Sequence, residues 1–529
     1  MNLARLLPLL VAVTGFSLKA EAEVHPIFES GPIVRPSETS ENPSDQLDRI
    51  VFAHLDKLGL KPANSCSDAV FLRRAYLVTI GTLPREDEAR DFLASKDESK
   101  RVILIERLLS RPEYADYWAM KWADVLRVKA EFPIKLWPNA VQIYHQWIHA
   151  SVRDNKPFHQ FAQELLVGSG SNFREGQVNF YRAMQDRTPR GMAATVALTF
   201  MGERAEKWPG KKLDAMSGFF ANVAFKPTAE WKEEIVYFDP TADKDGLSKN
   251  AIFPDGTPVK LDPGKSDPRV VFASWLLRPE NPSFSRCAAN RVWTWLMGRG
   301  IVNEPDDFRE DNPPTNPELL AFLEQEFIAS RCDMKSLMRT ILNSRTFALS
   351  SIPAQDTPEA VTNFAHYPMR RLEAEVLIDA LNQITGTKES YSSPIPEPFT
   401  FIPDDVRGIA LPDGSITSSF LELYGRPPRD TGYQFERNLE TNAAQRLHLL
   451  NSSHIQKKIE GCPLVSKAAE GDPPTLAEKA YLTILSRFPT AGEIATLQSY
   501  ADAGTASGRA LAADLVWSLI NQPEFFYNH

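Results

Sequence analysis

Cysteine is scarce in this sequence of 529 residues, which contains only Cys66, Cys287, Cys332 and Cys462. The spacings between them are wide and no CxxC pair occurs, so the chain is not built as a small disulfide scaffold. Cys287 and Cys332 stand in apolar helical contexts, where buried free thiols are expected.

An excess of positive charge and long apolar runs are also missing. The 59 lysines and arginines face 68 acidic residues, for a net charge of −9, which argues against a general nucleic-acid binder. After the N-terminus no apolar run is long enough to cross a bilayer, so no membrane span is predicted. Nucleophile-elbow, phosphate-loop, dinucleotide-binding and EF-hand patterns are absent as well.

The N-terminus has the pattern of a secretory signal. Arg5 supplies a positive charge, residues 6–16 are apolar, and Ala20 and Ala22 are small residues at the two positions that a signal peptidase recognises. We predict that residues 1–22 are removed and that the protein is exported, to the periplasm or beyond the cell. Residues 23–45 are rich in Pro, Ser and Glu and are predicted to be a linker.

The rest of the chain predicts a mainly α fold with two helical domains, a small β-hairpin and long irregular loops. Apolar residues recur at helical spacing through residues 46–240 and again through residues 269–529. Residues 241–268, rich in Pro, Gly and Asp, are predicted to be an irregular connector. Residues 386–433 are a second irregular segment, whose length usually indicates either a functional loop or disorder.

One region of the chain predicts β structure. Residues 233–238 and 251–261 have strand character, and Asp255-Gly256 is a typical turn pair. We therefore predict a small hairpin between these two segments.

A helical unit near the N-terminus recurs near the C-terminus, at residues 475–529. A tyrosine, a leucine, a proline and a glutamate recur 405 residues later: Tyr76, Leu77, Pro84 and Glu88, then Tyr481, Leu482, Pro489 and Glu493. Each unit closes with Pro-Glu-aromatic, as R-P-E-Y after the first and Q-P-E-F after the second. The duplication is interpreted as structural, because stacked helical units bury each other's faces.

A dense polar region follows Cys287. Asn290 and Arg291 stand on an aromatic helix, glycine turns follow it, and the acid pair Asp306-Asp307 comes next. Such groups are costly to bury unless each is paired, so the region indicates either an organised polar site or a buried structural network. Asp307 is a candidate acid, base or calcium ligand; the alternative is that it caps a turn or pairs with Arg291.

Two further groups of charged residues are candidates for the same site. Arg371, Glu375 and Asp379 follow i, i+4 spacing, which indicates either an ion-pair ladder on one helix or contacts to an anionic or hydroxylated ligand. A later loop stiffened by glycine and proline carries the arginines Arg426, Arg429 and Arg437. That loop is either an anion-recognition loop or a loop pinned to the helical body by salt bridges.

The pair His145 and His149 has the i, i+4 spacing of metal ligands on a helix. The glutamate that a zinc hydrolase uses to deprotonate water is replaced by Gln146, so hydrolysis through this motif is unsupported. The alternative is two histidines at the edge of the surface, and no metal site is predicted.

Several motifs resemble known families. F-L-R-R-A-Y-L, G-T-L-P and L-L-S-R-P-E-Y-A-D-Y-W resemble the domain of unknown function 1549. N-P-S-F-S-R, N-R-V-W, G-R-G-I-V, D-D-F, R-R-L-E-A-E and A-Q-R-L-H-L-L-N resemble the domain of unknown function 1553. The resemblance implies an exported bacterial protein of a kind that often carries a planctomycete-type cytochrome c domain. It implies no particular activity.

One departure from the resemblance concerns haem. Many relatives carry C-A-x-C-H-x-H-P, whereas residues 203–209 here read E-R-A-E-K-W-P. Covalent haem attachment needs two thiols and an imidazole, which this segment lacks, so no cofactor is predicted.

Three functions follow from these observations. The favoured one is an accessory or ligand-binding protein of the cell envelope, linked to polysaccharide handling, with polysaccharide or other envelope proteins as partners. The second is a hydrolase or lyase whose site combines Arg291, Asp307 and Glu375 with the arginine loop. Electron transfer is the least favoured, because no haem motif is present.

Overall fold

A computed structural model describes residues 24–467 and 472–529. The predicted signal, residues 1–22, lies outside the described residues. Within them the fold is mainly α with small antiparallel sheets, which confirms the predicted class.

Ten helices are described before the predicted connector. They are α1 (Pro43–Lys57), α2 (Asp68–Thr79), α3 (Glu86–Ala94), α4 (Lys100–Ser110), α5 (Pro112–Val125), α6 (Pro138–Arg153), α7 (Phe158–Val167), α8 (Asn179–Arg182), α9 (Pro189–Met201) and α10 (Lys212–Ser217). The helices described after it are α11 (Pro268–Leu276), α12 (Pro282–Met297), α13 (Pro317–Ala329), α14 (Met334–Leu342), α15 (Pro358–Thr362), α16 (Ala374–Thr385), α17 (Ser419–Leu423), α18 (Ala443–Asn451), α19 (Ser453–Glu460), α20 (Pro463–Ser466), α21 (Pro473–Leu485), α22 (Ala491–Asp502), α23 (Gly508–Ile520) and α24 (Pro523–Phe526).

Many of the 40 prolines occupy the first turn of a helix. Proline fits there because the backbone N–H that it lacks would have no partner within the helix. The residue before it often accepts a hydrogen bond from a backbone N–H of the first turn, as do Asn42, Asn281, Asn316 and Thr357. Asn-Pro and Thr-Pro pairs therefore fix where these helices begin.

The strands are short. They are β1 (Glu29–Gly31), β2 (Ser65–Cys66), β3 (Gly170–Ser171), β4 (Val223–Pro227), β5 (Glu234–Phe238), β6 (Arg370–Arg371) and β7 (Tyr527–Asn528). They form the antiparallel sheets β1-β2, β3-β5-β4 and β6-β7. The predicted linker thus contributes β1 to one of these sheets.

The predicted hairpin is wrong in its pairing. β5 is a strand as expected, but it pairs with β4, where Ala224 lies opposite Tyr237, and not with residues 251–261. In that later segment only the isolated bridge between Ile252 and Pro258 forms, around the Asp255-Gly256 turn. The reason is proximity along the chain, since β4 ends seven residues before β5 begins and a short turn joins them.

The two helical segments share one continuous core. Two buried arginines of the F-L-R-R-A-Y-L motif on α2 tie it to the C-terminus. Arg73 donates to the carbonyl oxygens of Ile484 and Phe525 at 2.8 and 2.9 Å, and Arg74 donates to that of His529 at 3.0 Å. These bonds join residues more than 400 positions apart.

The two repeated units have the same polar centre. In the first, the Arg111 guanidinium lies over the ring of Tyr76, at 5.7 Å, and pairs with Glu88 and Glu113 at 2.8 and 2.6 Å. Arg111 precedes the proline that opens α5.

In the second unit the arginine comes from a different position. Arg487, at the end of α21, lies 4.9 Å from the ring centroid of Tyr481 and pairs with Glu493 and Glu524 at 2.8 and 2.7 Å. Gln522 stands where the first unit has its arginine. The tyrosine and both glutamates are therefore shared by the repeats, while the arginine is supplied from another point of the fold.

Candidate functional site

Arg291 and Asp306 form a buried ion pair. Arg291 lies on α12 and donates through Nη2 to Asp306 Oδ1 at 3.0 Å and through Nη1 to the carbonyl oxygen of Thr199, in the last turn of α9, at 2.8 Å. The second oxygen of Asp306 accepts the backbone N–H of Gln434 at 2.6 Å. The pair thus joins α12, α9 and the loop that carries the late arginines.

Asn290 and Asp307 have different partners. The Asn290 amide bonds both backbone groups of Val302, at 2.9 and 3.0 Å, and so closes the glycine turn after α12. Asp307 lies 3.8 Å from Arg204 and 3.5 Å from Arg309. The pairing of Asp307 with Arg291 is therefore wrong, because Asp306, in the turn that precedes Asp307, is the residue whose carboxylate faces Arg291.

Arg437 is the centre of a second, larger cluster. Its guanidinium donates to Glu375 Oε2 at 2.7 Å and to Asp124 Oδ2 at 2.6 Å, and all three side chains are buried or nearly so. Beside them, Lys121 on α5 pairs with Glu373, the residue just before α16. The same carboxylates are shared by the other two arginines of the loop. We call this set the ionic network: Lys121, Asp124, Glu373, Glu375, Arg426, Arg429 and Arg437.

Arg426 and Arg429 pin their loop to the body of the protein. Arg429 donates through Nε to Asp124 at 2.9 Å and through Nη1 to the carbonyl oxygen of Pro412 at 3.0 Å. Arg426 donates to the carbonyl oxygen of Asp413 at 3.0 Å and lies 3.5 Å from Glu375. This geometry is that of a loop held by salt bridges.

The expected ion-pair ladder of Arg371, Glu375 and Asp379 does not form. Arg371 belongs to β6, because α16 begins only at Ala374, so helical spacing does not apply to it. Its guanidinium donates to the carbonyl oxygens of Tyr424 and Asn438 at 2.8 and 2.6 Å. Asp379 accepts the backbone N–H groups of residues 408 and 409, at 2.7 and 3.0 Å.

Burial and charge move the pKa values of this region. Burial alone would raise the pKa of Glu375, but the adjacent Arg437 guanidinium outweighs it and lowers the pKa to about 2. Burial lowers the pKa of Lys121 to about 8, although Glu373 beside it favours the charged form. Burial raises the pKa of Asp379 to about 7, although two backbone hydrogen bonds to its carboxylate lower the pKa.

The ionic network has almost no open space. The pocket that reaches it, lined by Lys121, Asp124, Trp295, Tyr433 and Arg437 among others, has a volume of about 10 Å³. That volume holds about one water molecule. The network therefore joins α5, α16 and the arginine loop, and it presents no cleft to a substrate.

The two histidines of α6 do not converge on a metal. His149 lies 3.1 Å from Asp116, whereas the ring of His145 is buried and its centroid is 6.3 Å from that of His149. Burial, and then the charge of Arg429, lowers the pKa of His145 to about 3. In the part of the chain that the structure describes, no group of three or more His, Cys, Asp or Glu side chains is placed to hold a metal ion.

The segment that replaces the haem run of relatives is closed by its own contacts. Glu203 accepts the indole N–H of Trp208 at 2.8 Å, and burial raises the pKa of Glu203. A cleft of about 400 Å³ beside it is lined by Met201, Phe308 and Arg309 among others, with no thiol or imidazole in its wall. These residues do not fit a covalently attached haem.

Sequence reasoning missed a cluster of aromatic rings at the surface. The ring of Trp137, just before α6, lies 4.7 Å from that of Trp231 and 5.4 Å from that of Phe399. Trp231 is at the tip of the β4-β5 hairpin and is 63% exposed, and Phe399 is half exposed. We call Trp137, Trp231 and Phe399 the aromatic surface. The one local signal was a tryptophan among charged residues in A-E-W-K-E-E.

A cleft of about 380 Å³ adjoins the aromatic surface and shares Phe399 with it. One wall is the first part of α6, with Asn139, Gln142 and His145. The other wall is the irregular segment that the sequence predicts between residues 386 and 433, including Phe401 and Ile402. We call this space the α6 cleft.

These features describe a mainly helical protein in which two segments share one core. Each of the two segments also matches a known family. Residues 46–210 match the family described as Protein of unknown function (DUF1549), and residues 268–501 match that described as Protein of unknown function (DUF1553). The chain therefore combines a DUF1549 segment with a DUF1553 segment, as its motifs predict. No curated protein and no solved structure matches it. Among the described residues no helix is both long and apolar enough to cross a membrane.

Proposed function

We propose that the protein is an exported, ligand-binding accessory protein of the cell envelope that handles polysaccharide without cleaving it. The aromatic surface is the observation that carries this proposal. Exposed clusters of large apolar rings are uncommon on soluble proteins and mark interaction sites. Flat aromatic faces with polar neighbours suit sugar rings, which combine apolar faces with hydroxyl groups at their edges.

The surroundings of the three rings support the same proposal. The ammonium of Lys232 lies over the rings of Trp231 and Trp137, at 5.3 and 5.8 Å from their centroids, so a polar group that can donate hydrogen bonds adjoins the aromatic rings. Trp137 has φ of 76° and ψ of 147°, a conformation that residues other than glycine rarely adopt. Such strain is typical of functional positions.

The ionic network supports binding over catalysis. Glycoside hydrolysis needs two carboxyl groups that flank a sugar in an open site. Glu375 and Asp124 are instead held by Arg437, in a region with space for about one water molecule. Breaking such buried pairs is costly, so these carboxylates serve best as structural anchors.

The alternative, a hydrolase or lyase with a site of Arg291, Asp307, Glu375 and the arginine loop, would need a base, and Lys121, which pairs with Glu373, is the candidate. Its pKa, lowered to about 8 by burial, would let it act as a base near neutral pH. A single test separates this alternative from a structural role. If Lys121→Met folds normally and abolishes release of reducing ends or unsaturated sugars, the enzyme hypothesis stands; if no such release occurs with the unaltered protein, it fails.

Affinity electrophoresis tests the proposed function. The purified protein should be retarded in gels that contain a polysaccharide it binds, and the double variant Trp231→Ala/Phe399→Ala should migrate as in a plain gel. Phe435→Ala is the matched control, because Phe435 is equally exposed, at 59%, and lies outside the aromatic surface. Failure of every polysaccharide to retard the protein would contradict the proposal. N-terminal sequencing of protein recovered outside the cytoplasm should begin at Glu23.

A further inference from the structure

The α6 cleft has the dimensions of a ligand site. Its volume of about 380 Å³ lies within the range of about 300 to 1,000 Å³ that is typical of small-molecule pockets. It is open at the surface beside Phe399, which also belongs to the aromatic surface. A chain that stacks on the rings can therefore place one of its units in the cleft.

The wall of the α6 cleft carries no charge. Its lining consists of proline, asparagine, glutamine, histidine, phenylalanine and aliphatic residues, in a protein of which 24% of residues are charged. The one titratable group, His145, is held neutral at physiological pH, since burial and the charge of Arg429 lower its pKa. A carboxylate, sulfate or ammonium entering this space would lose hydration and find no partner of opposite charge.

The cleft nevertheless offers hydrogen-bonding groups. Among the described residues, the side-chain amides of Asn139 and Gln142 make no hydrogen bond, and Asn139 is exposed while Gln142 is half-buried. His145 is 9% exposed and its Nε2 atom has no hydrogen-bond partner in the described chain. Amide groups donate and accept at once, which is what neutral hydroxyl groups require.

The cleft also continues along the surface. A second cleft, of about 350 Å³, shares Ile402 and Pro403 with it and is lined further by Lys388, Glu389 and Tyr391. A ligand longer than one unit can extend in this direction, whereas a single small molecule would fill the α6 cleft alone.

We propose that the α6 cleft binds an uncharged sugar unit of the polysaccharide and thereby selects neutral over anionic polysaccharides. The proposal rests on the proposed function and names the ligand class of the same site. Asn139 and Gln142 bond the hydroxyl groups, Phe399 and Phe401 cover the apolar faces, and the uncharged wall excludes acidic sugars. Binding is consequently insensitive to salt and strengthens with oligosaccharide length.

The experiment compares neutral polysaccharides with sulfated derivatives of the same backbones, for example dextran with dextran sulfate and a β-glucan with its sulfated form. The purified protein is titrated with each at low salt and at 1 M salt. We expect at least one neutral polysaccharide to bind at least tenfold more tightly than its sulfated derivative, with less than a threefold change on adding salt.

Two variants that each introduce a charge on α6 test whether the selectivity for neutral polysaccharides arises in the α6 cleft. Gln142→Glu places a carboxylate in the cleft and should weaken neutral polysaccharide binding at least tenfold. Gln146→Glu is the matched control, because Gln146 is exposed on the same helix and does not line the cleft, and its affinity should stay within twofold. Circular dichroism and the melting temperature verify that both variants fold.

The outcomes are distinguishable. Preference for the sulfated forms, with affinity that falls steeply with salt, overturns the assignment of the cleft and leaves the proposed function standing. Equal effects of Gln142→Glu and Gln146→Glu overturn it as well. Binding to none of the polysaccharides overturns the inference and the proposed function together.

Discussion

The indole rings of Trp137 and Trp231 lie 4.7 Å apart and are inclined at 75°, so that the edge of one ring meets the face of the other. Trp137 precedes α6 and Trp231 occupies the tip of the β4-β5 hairpin. Edge-to-face contact orients both rings, and Trp231 nevertheless remains 63% exposed. This relationship is the basis of the binding function proposed for the protein.

Replacing Trp231 with alanine should impair binding and leave the fold intact. Because the side chain is 63% exposed, its loss removes little core burial, and the melting temperature should change by less than about 2 °C. Affinity for polysaccharide should fall at least about tenfold, equivalent to about 1.4 kcal/mol. Isothermal titration and differential scanning fluorimetry measure the two effects. A large loss of stability without loss of affinity would show that Trp231 has a structural role.

Replacing Arg437 with alanine should destabilise the protein strongly. The substitution leaves the buried carboxylates of Glu375 and Asp124 without their shared partner, which costs about 3 to 5 kcal/mol. Arg153→Ala serves as the control, because Arg153 pairs with Asp154 at the surface, where solvent screens the pair, and its removal should leave the stability nearly unchanged. Denaturant unfolding measures the free energy of unfolding of both variants and of the unaltered protein. Equal stability of the two variants would contradict the structural role of the ionic network.

Acid should weaken the ionic network in a defined range of pH. The pKa of Glu375 is lowered in the folded protein to about 2, below its value of about 4.3 in an unfolded chain. Its contribution to stability is therefore complete above about pH 4.3 and is lost as the pH falls toward 2. Glu375→Gln should be less stable than the unaltered protein at pH 7, and the difference should shrink between pH 5 and pH 3. A difference that is constant with pH would contradict the pairing with Arg437.

The two repeated units predict a rescue experiment. Arg487→Ala leaves Glu493 and Glu524 unpaired and should lower the free energy of unfolding by about 2 to 4 kcal/mol. Gln522 occupies the position that Arg111 has in the first unit, so Gln522→Arg in the Arg487→Ala background should recover at least half of the loss. If Gln522→Arg has no effect in that background, the two units do not share one geometry.

Local patterns in the sequence were sufficient to predict the class of fold. Apolar residues at helical spacing, together with prolines that follow asparagine or threonine, predict helices because both signals act within a few residues. The repeat was visible for the same reason, since Tyr76 and Glu88 recur at one fixed spacing as Tyr481 and Glu493. The predicted hairpin was wrong because the strand character of β4, which directly precedes β5 and pairs with it, was not recognised in the sequence.

The candidate site was predictable only in part. Arg426 and Arg437 do meet Glu375, whereas Arg429 pairs with Asp124, and neither Asp124 nor Lys121 on α5 was foreseen. Arg371 was placed on a helix because the spacing alone does not reveal that α16 begins at Ala374. Contacts between distant positions depend on tertiary packing, which periodicity does not report.

The aromatic surface and the α6 cleft were out of reach of the sequence. Trp137, Trp231 and Phe399 come from three segments separated by roughly a hundred residues or more, and apart from the charged neighbours of Trp231 nothing in their local sequence marks them as exposed. Only the folded arrangement reveals that Trp231 is exposed and that uncharged groups of α6 line a cleft beside it.

Protection of tryptophan from quenching tests the central claim most directly. Acrylamide, an uncharged quencher, should reach Trp231 in the free protein, and saturation with a neutral polysaccharide should reduce the quenching constant markedly. The same ligand should give no such protection in Trp231→Ala, while Phe435→Ala should behave as the unaltered protein does. Polysaccharide binding that leaves the quenching of the unaltered protein unchanged would contradict the assignment of the aromatic surface as the binding site.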